Sequence, residues 1–291
     1  MLSLRNLLLP TDFSPRARGV VAYASALARH FQAKLTLLHV LPSRDLVWAG
    51  VGGSPGWEQA LKSQRDLARE QLDSFLLSEL TGLSVTRVLL EGDPANGIVQ
   101  YAHAKDVSLI MMPTRGSGPF RRFLLGSVTA KVLHDANCPV WTAAPTQEAA
   151  AGRSFGVRTV VCAADVAPQS ADPLRWAAEF ASEFHARLIV VHVIPSLDFN
   201  PEACSIDAGR QERILTEARS NAARALKSCC PYEAEIRVES GSVSRVVSST
   251  AEDERADLLV IGRASMPGIF GRLRTNSYAI IRESPCPVVS V

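Results

Sequence analysis

One glycine-rich segment of the chain has the residue types and spacing of a phosphate-binding loop. It runs from Met112 to Thr129, and nine residues separate Gly116 from the pair Gly126-Ser127. Backbone N–H groups at the start of a helix attract an anion, and glycine lets the backbone approach that anion closely. Ser127 and Thr129 add hydroxyl donors. The segment therefore favours a phosphate site; the alternative is an ordinary helix start with Ser127 as N-cap.

The histidines and cysteines form no metal site or catalytic pair at a recognisable spacing. His39 and His192 end equivalent strands but have no ligand partner at metal spacing, so a repeated structural histidine is expected. No nucleophile elbow, HExxH motif or Walker lysine occurs. We expect the cysteines to be reduced thiols, with Cys138 and Cys286 packing as small hydrophobes.

Alternating strands and helices are predicted to position these residues. In the first half of the chain, short apolar runs alternate with segments whose apolar residues recur at helical spacing. The predicted strands are 6–9, 35–41, 85–90, 108–112 and 140–143, and the predicted helices are 15–33, with Ser14 as N-cap, 57–80, 94–105 and 127–135. Continuous apolar strands separated by helices indicate a parallel sheet covered on both faces. Ligands bind such sheets beyond the carboxyl ends of the strands, where the strand order reverses.

The second half of the chain repeats this pattern. Residues 23–43 align without a gap with residues 176–196, and the same register places Asp12 over Asp165. Further matches pair Gly92 with Gly241 and Cys138-Pro139-Val140 with Cys286-Pro287-Val288. A repeat of this length and order predicts two copies of one domain. The predicted boundaries are residues 1–144 for domain 1, 145–156 for a linker and 157–291 for domain 2.

Composition agrees with two domains and narrows the range of partners. A chain of 291 residues allows one large core or two ordinary domains. With 31 Lys+Arg against 29 Asp+Glu and 6% aromatic residues, no basic or base-stacking surface for nucleic acid is indicated. No stretch approaches the roughly 20 apolar residues that cross a bilayer, and Pro10 ends the N-terminal apolar run before signal-peptide length. We expect a cytoplasmic protein with neither nucleic-acid nor membrane partners.

As an ordered set, the motifs resemble the universal stress protein family, present as a tandem of two domains. The motifs that carry the resemblance are LLLPTDFS at 7–14, LLHVLP at 37–42, EGDPANGIV at 91–99, the glycine-rich segment, and Cys138-Pro139-Val140. The resemblance covers nearly the whole chain twice. It implies two α/β domains of flavodoxin-like, nucleotide-binding type, each with a five-stranded parallel sheet flanked by helices.

The resemblance also implies a nucleotide site in domain 1, because members that bind ATP carry Gly-x2-Gly-x9-Gly-Ser/Thr after the fourth strand. Carried over by position, the residues that would hold adenine and ribose are Pro10, Thr11, Asp12 and Val40. Those that would hold ribose and phosphates are Met112, Gly116, Gly126, Ser127, Val128 and Thr129. The implied cofactor is ATP, with or without Mg²⁺.

Two positions in domain 1 leave alternatives open. The carboxylate of Asp12 only accepts hydrogen bonds, so it suits a hydroxyl or an amine of a nucleoside, and capping the following helix is an equally physical role. Pro113 replaces the first glycine of the pattern. Because proline has no N–H and a fixed φ, a backbone donor or a close approach is in doubt there.

Domain 2 departs further from the glycine pattern. Gly262 is present, but Ser265 occupies the second glycine position, Thr275 the third, and Asn276 the Ser/Thr position. A β-branched Thr275 resists the backbone angles that glycine permits. Asp165 is retained. We expect domain 2 to be mainly a structural partner.

Three functions are weighed on this basis. The first is a nucleotide-responsive stress protein, in which ATP orders the glycine loop and changes the surface that an unknown protein partner meets. No general base is assigned, so the protein is expected not to be a dedicated enzyme, with at most slow ATP hydrolysis. The alternative is a tandem scaffold that binds no nucleotide. An enzyme of the wider nucleotide α-hydrolase class needs a second substrate site, and none is evident.

The resemblance further implies pairing between the two domains. The final strands, residues 140–143 and 288–291, would pair across a pseudo-twofold axis, since an exposed apolar edge strand is an aggregation hazard. This predicts an intramolecular pseudo-dimer, and a homodimer of two chains is also open.

Overall fold

The chain forms two compact units, one comprising Ser3–Phe155 and the other Gly156–Val291. The structure is a computed structural model. It describes residues 2–42, 57–114, 125–143, 156–164, 171–194, 208–229, 233–263 and 271–291. Of the predicted linker, residues 145–155 lie outside the described residues.

The first unit alternates strands and helices. Its strands are β1 (Asn6–Pro10), β2 (Lys34–Pro42), β3 (Val85–Gly92), β4 (Leu109–Pro113) and β5 (Val140–Ala143). Its described helices are α1 (Pro15–His30), α2 (Trp57–Ser74), α3 (Pro94–Ala104) and α4 (Ser127–Asp135). The strands pair in parallel in the order β3-β2-β1-β4-β5. The predicted five-stranded parallel sheet is confirmed.

The second unit has the same succession of elements. Its strands are β6 (Thr159–Ala163), β7 (Arg187–Ile194), β8 (Glu235–Ser240), β9 (Leu258–Ile261) and β10 (Val288–Ser290). Its described helices are α5 (Ala171–Glu183), α6 (Ala208–Cys229), α7 (Val243–Asp253) and α8 (Gly271–Glu283). The strands of this unit pair in parallel in the order β8-β7-β6-β9-β10. This order corresponds strand for strand to β3-β2-β1-β4-β5 in the first unit.

The repeat extends to single backbone angles. Gly92, at the end of β3, has a φ of 136°, and its counterpart Gly241 has a φ of 148°. Asp106 and Arg255, in the turns before β4 and β9, have φ values of 47° and 49°. Left-handed angles are rare for residues other than glycine, so their recurrence at matched positions supports two copies of one domain.

Two central strands of the first sheet, β1 and β4, are buried along almost their whole length. Leu7, Leu8 and Leu9 of β1 are at most 1% exposed, and Leu109 and Ile110 of β4 are 0% exposed. A strand covered by helices on both faces needs no polar alternation, which explains the continuous apolar runs in the sequence.

The end of α2 differs from the prediction. Helical periodicity predicts a helix over residues 57–80, but α2 ends at Ser74 and turns follow. Leu76 has a φ of 58°, which breaks the helix while keeping this side chain buried. Arg87 of β3 donates to the carbonyl oxygens of Leu72 and Phe75, both at 2.9 Å. Its guanidinium therefore satisfies carbonyls that the end of a helix leaves without partners.

A helix that crosses a membrane needs about 20 consecutive apolar residues. Among the residues that the structure describes, no helix is sufficiently long and apolar to cross a membrane.

Candidate functional site

The strand order of the first unit reverses at β1, which lies between β2 and β4. This is the point at which open parallel sheets bind ligands beyond their carboxyl ends. Most of the predicted nucleotide residues lie around it. The loop after β1 contributes Thr11 and Asp12, the strand ends contribute Pro10, Val40 and Met112, and the start of α4 contributes Gly126, Ser127, Val128 and Thr129. Gly116 lies outside the described residues.

Apolar residues line the carboxyl edge of the three central strands. Val40 is 6% exposed, Met112 is 4% exposed, and Pro10 is buried. Pro10 pairs with Leu38, two residues before Val40. The pairing of Leu8 with Ile110 sets Pro10 level with Met112 on the neighbouring strand. The strand ends thus place apolar groups side by side where a ligand would meet the sheet.

The loop after β1 is held by hydrogen bonds within a few residues. The N–H of Thr11 donates to Leu38 O at 2.8 Å, and the Thr11 hydroxyl accepts from the N–H of Phe13 at 3.0 Å. Asp12 is exposed, and its Oδ1 accepts from the N–H of Ser14 at 3.0 Å. Ser14 is itself the N-cap of α1. Through this bond Asp12 organises the turn that leads into α1.

His39 ties the end of β2 to this loop. Its Nδ1 lies 2.8 Å from Thr11 O, and its ring centroid lies 4.3 Å from that of Phe13. A carbonyl oxygen only accepts, so Nδ1 carries the hydrogen. In the second unit, Nδ1 of His192 lies 3.2 Å from Ala164 O. The two histidines have the same structural role, as predicted for a repeated half-buried histidine.

The start of α4 presents backbone donors at the same sheet edge. Gly126 is the N-cap, with a φ of −62° and a ψ of 142°. The first bond of the helical ladder runs from Ala130 N to Gly126 O at 2.8 Å. The N–H groups of Ser127, Val128 and Thr129 therefore precede the ladder, as the first N–H groups of any α-helix do. Such groups, with the helix dipole, favour an anion.

Two other donors of this segment are engaged within the protein. The N–H of Gly126 donates to Thr114 O at 2.9 Å. The hydroxyl of Thr129, which is 3% exposed, donates to Pro113 O at 3.1 Å. Pro113 ends β4 and has no N–H, and the bond from Thr129 uses its carbonyl oxygen as the acceptor. Both bonds attach the start of α4 to the end of β4.

An ion pair links α4 to α3. Lys131 Nζ lies 3.2 Å from Oδ1 of Asp93, the N-cap of α3, and the same oxygen accepts from the N–H of Asn96 at 2.9 Å. Both charged side chains are about half exposed, at 44% and 50%. The pair therefore adds little stability. It links the N-cap of α3 to the fifth residue of α4 beside the site.

At this edge the structure adds a detail to the predicted N-cap Ser14 and reveals one residue, Gly97, that the sequence prediction missed. Ser14 is 6% exposed, and its hydroxyl is buried without a hydrogen-bond partner, so it caps α1 by position but not through its side chain. Gly97 lies inside α3, where a Cβ atom would meet the side chain of Val40 at 3.1 Å. A glycine in a helix interior was a usable signal for close packing. The sequence holds no comparable signal for an uncapped hydroxyl.

The second unit differs at the equivalent loop. Gly262 follows β9 as Pro113 ends β4, and a Cβ atom there would lie 3.0 Å from Cγ of Pro173 in α5. This glycine therefore serves packing against α5. Asp165 and Ser265 lie outside the described residues.

The carboxyl ends of α4 and α8 show which residues of the two repeats correspond to each other. The N–H of Ala136 donates to Val132 O at 2.9 Å after α4, and the N–H of Ser284 donates to Ile280 O at 2.8 Å after α8. These equivalent caps agree with the match of the two Cys-Pro-Val segments.

This register corrects the predicted alignment of the glycine pattern by one residue. Counting back from the caps places Thr275 opposite Ser127, rather than opposite Gly126. It places Arg274 opposite Gly126 and Asn276 opposite Val128. The second unit retains only Gly262 of the glycine pattern, so the pattern alone does not place the one-residue gap before the helix. The glycine at the helix start is lost in either register.

Helix α8 also begins one turn earlier than α4. It starts at Gly271, whereas the residue that corresponds to Ser127 is Thr275. In an α-helix, the N–H of the fifth residue bonds to the carbonyl of the first. The N–H groups that precede the ladder in the first unit are therefore inside the ladder in the second. The second unit offers no equivalent set of donors at that position.

Burial makes two of the described thiols, those of Cys162 and Cys286, poor nucleophiles. Burial raises the pKa of Cys162 and of Cys286 to about 12, and Cys138 is half-buried. Across the described residues, no cluster of three or more His, Cys, Asp or Glu side chains is placed to hold a metal ion. Cys286 is buried, as its predicted role as a small hydrophobe requires.

Comparison with known proteins agrees with the tandem architecture. The model of the Universal stress protein family matches residues 3–143 and again residues 156–291. A universal stress protein of Methanocaldococcus jannaschii is 32% identical over 137 residues, which are 47% of this chain and 79% of that protein. One from Thermus aquaticus is 36% identical over 138 residues, covering 47% of this chain and 96% of its own.

A solved structure shows the same fold over the whole chain. The crystal structure of a universal stress protein from Archaeoglobus fulgidus covers 99% of this chain and 98% of its own, with a TM-score of 0.71 and 22% identity. At 22% identity, the similarity shows a common fold and nothing further. Because the family model matches both halves, the chain belongs to the universal stress protein family, as a member with two tandem domains.

Proposed function

We propose that the first unit binds an adenine nucleotide, ATP, across the carboxyl ends of β1, β2 and β4. The observation that carries the proposal is the start of α4. There, the N–H groups of Ser127, Val128 and Thr129 precede the helical ladder at the edge where the strand order reverses. A helix N-terminus carries roughly half a positive charge, which suits a phosphate chain.

The loop after β1 and the strand ends suit a nucleoside. Pro10, Val40 and Met112 supply apolar surface for a base. The carboxylate of Asp12 is exposed, and its Oδ1 accepts from the N–H of Ser14. A carboxylate has about four acceptor positions, so its chemistry allows a further bond from a ribose hydroxyl.

Phosphate recognition in this proposal depends on few groups. The N–H of Gly126 and the hydroxyl of Thr129 already donate within the protein. The exposed Ser127 hydroxyl and the first-turn N–H groups are left to contact the phosphates, with Mg²⁺ as a further counter-charge. The proposal assigns no general base. We therefore propose a cytoplasmic interaction switch, in which the nucleotide changes the surface seen by a protein partner, rather than a dedicated enzyme.

A scaffold that binds no nucleotide is the second candidate. The observation in its favour is that the Gly126–Thr129 segment uses two of its donors within the protein, one for Pro113 at the end of β4 and one for Thr114 directly after it. The presence of Pro113 at the first glycine position is in its favour as well.

Isothermal titration of the whole chain with ATP, with and without Mg²⁺, tests the two candidates. Wild type should bind one ATP per chain. Gly126→Ala should bind more weakly, because a Cβ atom at the N-cap crowds the phosphates. The matched control is Ser242→Ala at the N-cap of α7, whose side chain makes no capping bond, and it should bind like wild type.

The outcomes separate the candidates. No heat with wild type leaves the scaffold as the function. Equal ATP binding by wild type and Gly126→Ala would move the nucleotide site away from α4.

A further inference from the structure

Gly97 occupies a position where its backbone does not require glycine. It is the fourth residue of α3, and its N–H donates to Asp93 O at 2.9 Å as part of the first helical turn. Glycine in a helix interior is less favourable than alanine. The reason for glycine at this position must therefore be space.

The space at Gly97 is bounded by Val40. A Cβ atom at position 97 would lie 3.1 Å from Cγ2 and 3.2 Å from Cγ1 of Val40, so Val40 would have to give way by a few tenths of an ångström. Val40 belongs to β2, which is paired with β1 on one side and with β3 on the other. Its backbone is held by the sheet, and its side chain is 6% exposed. Close contact with Gly97 thus determines where the Val40 side chain rests.

The second unit shows that the fold itself does not demand this glycine. There, the N–H of Val246 donates to Ser242 O at 2.9 Å, as Gly97 donates to Asp93 in the first unit. Val246 is therefore the counterpart of Gly97, in a helix of the same length. The second unit, which has the branched Val246 here, also has the helix α8 that begins one turn earlier than α4. The glycine accompanies the candidate nucleotide site.

We infer that Gly97 is a positioning residue for the base of the nucleotide, acting through Val40. Because Gly97 has no side chain, Val40 packs directly against α3. This packing fixes the position of the apolar side chain that would contact adenine. This inference rests on the proposed nucleotide site of the first unit. It separates two parts of the proposed site, because Val40 belongs to β2, whereas the phosphates are assigned to the start of α4.

A double-mutant cycle at positions 97 and 40 tests the inference. ATP, AMP and inorganic tripolyphosphate are titrated into wild type, Gly97→Ala, Val40→Ala and the double variant. Gly97→Ala should weaken ATP and AMP by the same factor, about three- to tenfold, and should leave tripolyphosphate unchanged. In the Val40→Ala background, Gly97→Ala should have no further effect. The nearest remaining atom, Cβ of residue 40, lies at 3.7 Å, which is ordinary van der Waals contact.

The matched control is Asn96→Ala, an exposed neighbour on the same helix. Both substitutions improve helix propensity, so an effect of α3 stability alone would appear in both. Circular dichroism of every variant checks that the fold is retained. The double variant, which removes the close contact, provides a second comparison against Val40→Ala.

Each outcome bears on the inference separately from the proposed function. Wild type that binds no ATP overturns the proposed function and this inference with it. Wild type that binds ATP, with Gly97→Ala equal to it, overturns the inference alone. Equal losses of ATP and tripolyphosphate, or a loss that persists in the Val40→Ala background, overturn it as well.

Discussion

The hydroxyl of Thr129 donates to the carbonyl oxygen of Pro113 at 3.1 Å, joining the first turn of α4 to the last residue of β4. The bond from Gly126 N to Thr114 O, at 2.9 Å, runs alongside it. Together they hold the start of α4 at the carboxyl edge of the sheet. The backbone of Pro113 has a carbonyl acceptor but no N–H donor. The hydroxyl of Thr129 in the first turn of α4 needs only that acceptor. The departure from glycine at Pro113 is thus compatible with a fixed helix start.

Thr129→Val should destabilise the first unit without changing the volume of the side chain. It removes one buried hydrogen bond, worth about 1 kcal/mol in the free energy of unfolding. Urea denaturation followed by circular dichroism measures the loss. The control is Ser127→Ala, which removes an exposed hydroxyl from the same turn and should change the free energy of unfolding by less than about 0.5 kcal/mol. Equal stability of wild type and Thr129→Val would mean that this bond does not anchor α4.

Local signals in the sequence predict the elements around the site well. The bounds of α4, Ser127–Asp135, and of β5, Val140–Ala143, agree with the sequence prediction residue for residue. Gly126 and Ser127 mark the helix start, and a short apolar run follows the Cys-Pro pair. Such signals act over a few residues, which is why one sequence suffices to recognise them.

Features that depend on distant contacts could not be predicted in the same way. Helix α2 ends at Ser74 although the spacing of Leu72, Leu76 and Leu80 continues, because Arg87 arrives from β3 to satisfy its last carbonyls. The engagement of Thr129 by Pro113 spans 16 residues and depends on how α4 meets β4. Periodicity and composition carry no information on such pairings.

The acid stability of the second unit should depend on Glu254. Its carboxylate is bonded by Arg187 of β7 and by Arg237 of β8, and these bonds, that of Arg187 first, lower its pKa below the ordinary value of 4.5. A lowered folded-state pKa gives stability that is complete above the unfolded value and is lost as pH falls through the folded value. Glu254→Gln should therefore lower the urea midpoint at neutral pH, and the deficit should shrink below about pH 4.5.

Urea midpoints of wild type and Glu254→Gln, measured from neutral pH to about pH 3, check this prediction. The matched control is Glu91→Gln, since Glu91 also has a lowered pKa but has a single described partner, Arg65, and the pair is about half exposed. Its deficit at neutral pH should be the smaller one. A deficit of Glu254→Gln that stays constant across the whole range would assign the effect to packing instead of charge.

The buried thiols should resist alkylation in the folded protein. Burial raises the pKa of Cys162 and Cys286 to about 12, so at pH 8 only roughly one thiol in ten thousand is the reactive thiolate. Peptide mass spectrometry after iodoacetamide treatment should find these two residues unmodified in native protein and modified in denaturing urea. Cys138, which is half-buried, should react first of the three. Labelling of Cys162 at the rate of Cys138 would show that the β6 core opens readily.

The second unit should bind no nucleotide, so the chain should carry at most one. Helix α8 begins at Gly271, and the N–H of Thr275, opposite Ser127, is already inside the helical ladder. Native mass spectrometry at saturating ATP should therefore show one nucleotide per chain. Restoring glycine with Arg274→Gly should not add a second, because one substitution does not return a whole helical turn to the loop. Two nucleotides per chain in wild type would contradict the prediction that the second unit binds none. Two nucleotides in Arg274→Gly alone would show that the missing glycine, rather than the longer helix, prevents binding.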